Sequence, residues 1–195
     1  MKHSILSLAA AAALAAAMPA SAHESIYAAD LLGSSEVPAA VTTGHGAAKV
    51  TFDFDLVTMR VQVSFADLVG NVTASHIHCC IAPGTNVRVA TQLPTFTGFP
   101  LGGKAGTYDH TFDMSLAGSY NPAFITANGG TVGSALNALI AGLDAGQAYL
   151  NVHTSQFPGG ELRALLVPVP EPETYALMLA GLGVMGLALR RRATV

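Results

Sequence analysis

Apolar and polar residues alternate with a period of two along much of the stretch from residue 26 to residue 167. Over 47–54, Val50, Phe52 and Phe54 fall on one side, and Thr51 and Asp53, followed by Asp55, on the other. After Asp55-Leu56-Val57-Thr58, the alternation resumes over 59–65, with Met59, Val61, Val63 and Phe65 on one face and Arg60, Gln62 and Ser64 on the other. This pattern marks strands with one buried face, and the two segments read as a hairpin. Further strands are expected over 26–32, 72–78, 86–91, 106–114, 148–154 and 161–167, with a long Pro-, Gly- and Thr-rich loop over 93–106. Helical spacing appears over 131–143, through Leu136, Leu139, Ile140 and Leu143, while 119–130 is mixed. The pattern predicts an all-β fold, a Greek-key β-sandwich or small barrel with one short helix.

Both ends break the pattern. Lys2 and His3 precede an apolar run over 5–18, and Ala20-Ser21-Ala22 is a small-x-small site. That is the plan of a secretory signal peptide over 1–22, with cleavage expected after Ala22. At the other end, a Pro-rich linker over 168–174 contains Pro170-Glu171-Pro172. It leads into a 15-residue apolar run, 175–189, and a basic tail, 190–195, that opens with Arg190-Arg191-Arg192. The apolar run reads as a transmembrane helix with the arginines on the cytoplasmic side. Its helical length is roughly 22 Å against a hydrocarbon core of ~30 Å, and snorkelling arginines extend its reach.

This tail resembles the PEP-CTERM sorting signal of Gram-negative bacteria, through Val169-Pro170-Glu171-Pro172, the apolar helix and the arginine triplet. The resemblance implies export, transient anchoring in the inner membrane, processing by an exosortase as partner, and a final place at the cell surface or outside it. Exopolysaccharide or surface proteins are the neighbours it implies. A plain C-terminal anchor has the same topology.

Residues 23–167 are left as one ordinary domain. Five basic side chains stand against ten acidic ones, for a net charge of −5. That sign, with no basic cluster, argues against a nucleic-acid partner. With no tryptophan in the chain, an aromatic platform for sugars has little support. No nucleophile elbow, phosphate loop or dinucleotide fingerprint is present. Asp53/Asp55 and Asp109/Asp113 read as solvated strand faces and turns.

Histidines carry the candidate chemistry. His76 and His78 are two apart in a strand-like segment, so both point to one face, and two such imidazoles can share a metal ion. His153, in the strand over 148–154, is the candidate third ligand, with copper or zinc as the ion. Glu161 follows a Phe157-Pro158-Gly159-Gly160 turn that leads the chain back toward His153. Two readings stand side by side: a metal site, or a buried polar network of His76, His78, His153 and Glu161. Cys79 and Cys80 are adjacent and are the only cysteines. Neighbours in a regular strand face opposite ways, so a vicinal disulfide needs a turn, which Ile81-Ala82-Pro83-Gly84 supplies. Thiolate ligation beside the histidines and intermolecular pairing are the alternatives.

Ser34-Ser35-Glu36-Val37-Pro38, Ser75-His76-Ile77-His78, Tyr149-Leu150-Asn151-Val152-His153-Thr154 and Pro158-Gly159-Gly160-Glu161-Leu162-Arg163 occur in that order. Together they resemble the chordin-type (CHRD) domain over about 26–166. The resemblance supplies a domain and no reaction. The His-x-His strand is also similar to the copper-binding strand of Cu/Zn superoxide dismutase, but the dismutase zinc loop and long disulfide have no counterpart here. Two functions are therefore expected of the exported domain. One is a non-enzymatic surface or matrix role in adhesion or binding. The other is a transition-metal-binding protein or dismutase-like oxidoreductase built on His76, His78 and His153.

Overall fold

In a computed structural model of the chain, the alternating segments fold as an antiparallel hairpin of β2 (His45–Asp53) and β3 (Thr58–Ala66), paired in register from His45 opposite Ala66 to Asp53 opposite Thr58. The structure describes residues 23–170, 179–183 and 185. The expected signal peptide with Ala20 and Ala22, the motif residues Glu171 and Pro172, and most of the expected transmembrane segment and basic tail lie outside the described residues. Among the described residues, 179–183 and 185 are helical, and no helix is long and apolar enough to cross a membrane.

The hairpin turn is held by the Asp53 carboxylate, which accepts from the backbone N–H of Asp55 and Leu56. Val50, Phe52, Met59, Val61, Val63 and Phe65 are buried on the inner face. Full burial of each large apolar side chain stabilises by about 1.5–3 kcal/mol. The remaining strands are β1 (Glu24–Leu32), β4 (Val72–Cys79), β5 (Gly106–Asp113), β6 (Ala148–Thr154), β7 (Leu162–Leu165) and β8 (Val167–Pro168). All eight belong to one antiparallel sheet in the order β4-β6-β7-β1-β2-β3-β5, with β8 also beside β1. The sheet curls around the core as a half-barrel, the all-β, sandwich-like arrangement that the alternation predicted. After β3 the chain crosses to the far edge to form β4, then returns to add β5 beside β3.

Within residues 23–170, two α-helices form where one was expected. The longer, α2 (Val132–Asp144), opens with a capping box between Thr131 and Ser134 and turns Ala135, Leu139 and Leu143 into the core. The shorter, α1 (Pro122–Ala127), lies in the mixed stretch; Asn121 caps it and Pro122 takes its first turn. Its six residues are too few to show a helical period. The Tyr27 hydroxyl donates to Asp144 at 2.6 Å and ties the end of α2 to β1.

The strand expected over 86–91 is not formed. Two isolated bridges, His78 with Val89 and Thr91 with Tyr120, stand in its place. Proline at 83 and 94 bounds this segment, and the Thr91 hydroxyl, not its backbone, accepts from Ile77 N–H at 2.9 Å. The loop from 81 to 105 nonetheless covers the free edge of β4: Ala90 N–H donates to Ile77 O at 2.9 Å and Phe96 N–H to Ser75 O at 3.1 Å. An edge strand is thereby closed to further pairing.

Candidate metal centre

In β4, Ile77 and Cys79 point into the core, so the residues between and before them, His78 and His76, face the other way. In β6, Leu150 and Val152 point into the core while Tyr149, Asn151 and His153 share the histidine face. The ladder sets His78 opposite Tyr149, His76 opposite Asn151 and Ala74 opposite His153. Three imidazoles therefore meet, with ring centroids 5.6 Å apart for His76–His78, 4.9 Å for His76–His153 and 6.0 Å for His78–His153. One nitrogen from each ring lies within 4.8 Å of the other two.

The other nitrogen of each ring is held by a loop carbonyl. His76 Nε2 lies 2.7 Å from Pro94 O, His78 Nδ1 2.7 Å from Val87 O, and His153 Nδ1 2.9 Å from Pro158 O. A carbonyl only accepts, so each of these nitrogens carries the proton and donates. The lone pairs are thus on His76 Nδ1, His78 Nε2 and His153 Nε2. Among the described residues, these are the buried side-chain nitrogen and oxygen atoms without a hydrogen-bond partner. An unpaired buried polar atom costs about 1–3 kcal/mol, so three aimed at one point call for an explanation.

Burial also keeps the rings neutral. It is the main cause pushing His76 and His78 down to about 4, against the opposing pull of the Pro94 and Val87 carbonyls; neighbouring histidines add to the fall. His153 is lowered as well, by burial first and then by the charge of Arg163. Neutral imidazoles with oriented lone pairs and carbonyl-bound N–H groups are what a transition-metal site requires. Bonds of about 2.0–2.1 Å would need the three nitrogens roughly 3.3–3.6 Å apart, against separations within 4.8 Å here.

A polar layer that the sequence reading missed lies beside the triad. Tyr149 stacks on His78 at 4.7 Å, and the Arg163 guanidinium carbon sits 3.9 Å above the centre of the Tyr149 ring. Arg163 pairs with Glu36 at 3.0 Å, and both side chains are almost wholly buried. Asn151 donates to Glu36 and, at 3.0 Å, to Leu162 O. Burial pushes the Glu36 carboxyl up, and Arg163 pulls against it. Gly160 has φ +130°, and a Cβ there would collide with Glu36 and Asn151. The available signal was a charged residue, Arg163, inside the otherwise apolar β7.

Glu161 stands elsewhere than expected. It accepts from Thr42 at 2.6 Å, Val69 N–H at 2.6 Å, Gly70 N–H at 3.1 Å and Thr154 at 2.7 Å, and from none of the histidines. Burial tends to raise its carboxyl, yet these donors hold it below the usual range. Thr154 points to the opposite face from His153, which is why the turn back to Glu161 does not deliver it to the triad. Cys79 and Cys80 are joined in a disulfide, so neither offers a thiolate to the histidines. Gly142 of α2 lies against this disulfide so closely that a Cβ would collide with it. His45 begins β2 and faces Asp67 at 3.8 Å on the surface. Asp109 pairs with Arg60, and Asp53 and Asp113 cap turns. A concavity of about 730 Å³ crosses β1, β2, β3 and β5 and is lined by none of the three histidines.

A single curled antiparallel sheet with short helices, carrying a histidine triad across β4 and β6, defines an all-β domain. The CHRD domain model matches residues 27–166, and the chain belongs to that family. The PEP-CTERM protein-sorting motif matches residues 168–192, which makes this an exported, cell-surface-sorted protein tied to an exosortase. No curated protein and no solved structure matches the chain.

Proposed function

We propose that the CHRD domain is an exported transition-metal-binding module whose ligands are His76 Nδ1, His78 Nε2 and His153 Nε2. One observation carries the reading: three buried lone pairs converge, each on a ring whose opposite nitrogen is fixed by a backbone carbonyl. A purely structural network would pair those nitrogens with one another or with Glu161, and they are unpaired. Copper and zinc are the ions that imidazole donors suit at this geometry.

Binding rather than turnover is the activity proposed. Among the described residues the triad is the one cluster of three or more candidate ligands, enough to hold a single ion. In this reading the signal peptide is removed after Ala22, the tail anchors the chain transiently, and an exosortase processes it near Pro170-Glu171-Pro172. The domain then acts at the cell surface, beside exopolysaccharide or other surface proteins.

The test is metal retention. Purified protein loaded with excess copper or zinc and then dialysed should keep about one ion per chain, as expected for a three-imidazole site. A His76→Ala/His78→Ala variant should keep none. Equal retention by the variant, or no retention by the natural chain, would overturn the reading.

A further inference from the structure

The surroundings of the triad bear on which ion it takes, an argument that rests on the metal reading above. All three donors are neutral imidazoles. No anionic ligand joins them, because Glu161 is committed to Thr42, Thr154, Val69 and Gly70, and the two cysteines are bonded to each other. The buried charges beside the site are Arg163 and Glu36, which balance one another and leave no net negative charge. Arg163 is linked to the triad through Tyr149, so the positive member of the pair backs directly onto the His78 stack.

Charge then decides between ions of similar size. The cost of moving an ion from water into a weakly polarisable interior grows as the square of its charge, about fourfold from +1 to +2. In most divalent sites a carboxylate or thiolate offsets that cost, and here neither is available. Coordination number points the same way. Zinc takes four ligands and completes a three-residue site with water. The three donor nitrogens are buried, and no fourth donor side chain completes the cluster among the described residues. Monovalent copper is satisfied by three nitrogen donors and needs neither a negative ligand nor a water.

We propose that His76, His78 and His153 bind Cu(I) in preference to Zn(II) and Cu(II). Such a site holds reduced copper outside the cell without adding a thiolate that oxidants would consume. The Arg163–Tyr149 stack disfavours the second positive charge, which makes Arg163 a positioning and tuning residue rather than a ligand.

Anaerobic titration of the purified full chain with Cu(I) against bicinchoninate tests this, alongside titrations with Zn(II) and Cu(II) against chelators of known strength. One Cu(I) per chain is expected, held at least about 100-fold more tightly than Zn(II) and more tightly than Cu(II). Ag(I), a monovalent ion without accessible redox chemistry, should compete with Cu(I) for the same site. Zn(II) or Cu(II) held as tightly as Cu(I) overturns the preference and leaves the metal reading standing. Failure to hold any of these ions overturns both. A Glu36→Gln/Arg163→Met variant removes the ion pair without leaving a lone buried charge. It should narrow the gap between Cu(I) and Zn(II), and an unchanged gap would remove Arg163 from the argument.

Discussion

Tyr149 lies flat against His78, with ring centroids 4.7 Å apart and planes 7° from parallel. The two are cross-strand partners, and one loop residue grips both: Val87 N–H donates to the Tyr149 hydroxyl at 3.2 Å, and Val87 O accepts from His78 Nδ1 at 2.7 Å. The His78 ring is thus fixed on its face by an aromatic plane and at its edge by a carbonyl. Tyr149→Leu should weaken metal retention by about 10-fold, the lower end of what outer-shell partners contribute. Tyr149→Phe keeps the plane and should lose less. Competition titration of the two variants checks this; a leucine variant that binds like the natural chain would show that the stack does not orient the ligand.

The metal-free domain should lose stability in mild acid. Burial holds His76 and His78 at about 4, below their ordinary 6.5. Between those values the unfolded chain binds protons that the folded chain refuses, so stability is fully present above about pH 6.5 and declines as the pH falls toward 4. Each ring excludes a proton that the unfolded chain would bind, so the two together make the acid-sensitive part of the stability several kcal/mol. Urea midpoints at about pH 7 and 4.5 measure it, and His76→Ala/His78→Ala should flatten the slope. A midpoint that does not move would mean the rings are not buried as neutral groups.

Glu161 and the histidines should prove separable. Glu161→Gln replaces an acceptor of four hydrogen bonds with a group that also carries two donors, so part of the network is left unmatched. A loss of about 1–3 kcal/mol is expected, read as a lower melting temperature. Metal stoichiometry should stay at one ion per chain, because no histidine bonds to Glu161. Loss of metal from a variant that is still folded would contradict that separation.

The Arg163–Glu36 pair should show the asymmetry of buried charges. Glu36→Ala leaves the Arg163 guanidinium without its counter-ion and should cost about 3–5 kcal/mol. Replacing both with apolar residues, as in Glu36→Leu/Arg163→Met, should recover much of that loss. Chemical denaturation of the single and double variants supplies the cycle; a double variant no better than the single would assign the cost to lost packing instead.

Period-two alternation was enough to locate β2, β3, β5 and β6, because each of these has one apolar and one more polar face over seven or more residues. Where structure is made by side-chain caps and isolated bridges, the pattern fell short. Asn121 starts α1 over too few residues to repeat, and Thr91 substitutes a hydroxyl for a ladder bond. At the site, the two-residue spacing of His76 and His78 was legible. The β4–β6 register that brings them to His153 depends on pairing across about 75 residues, which spacing does not encode. Glu36 and Arg163 were quoted only as motif residues, since a partner 127 positions away leaves no local trace. The carbonyls of Val87, Pro94 and Pro158 were invisible because every residue has one.

The three imidazole protons are anchored to main chain, so the hydrogen bonds themselves place no demand on the side chains of Val87, Pro94 and Pro158. Substitutions there are tolerable so long as each carbonyl keeps its position, whereas a one-residue insertion or deletion between 81 and 97 or within 155–160 shifts the anchor itself. The lengths of these loops should therefore be held more strictly across the family than the side chain at 87, while Gly160, which has no room for a Cβ, stays fixed.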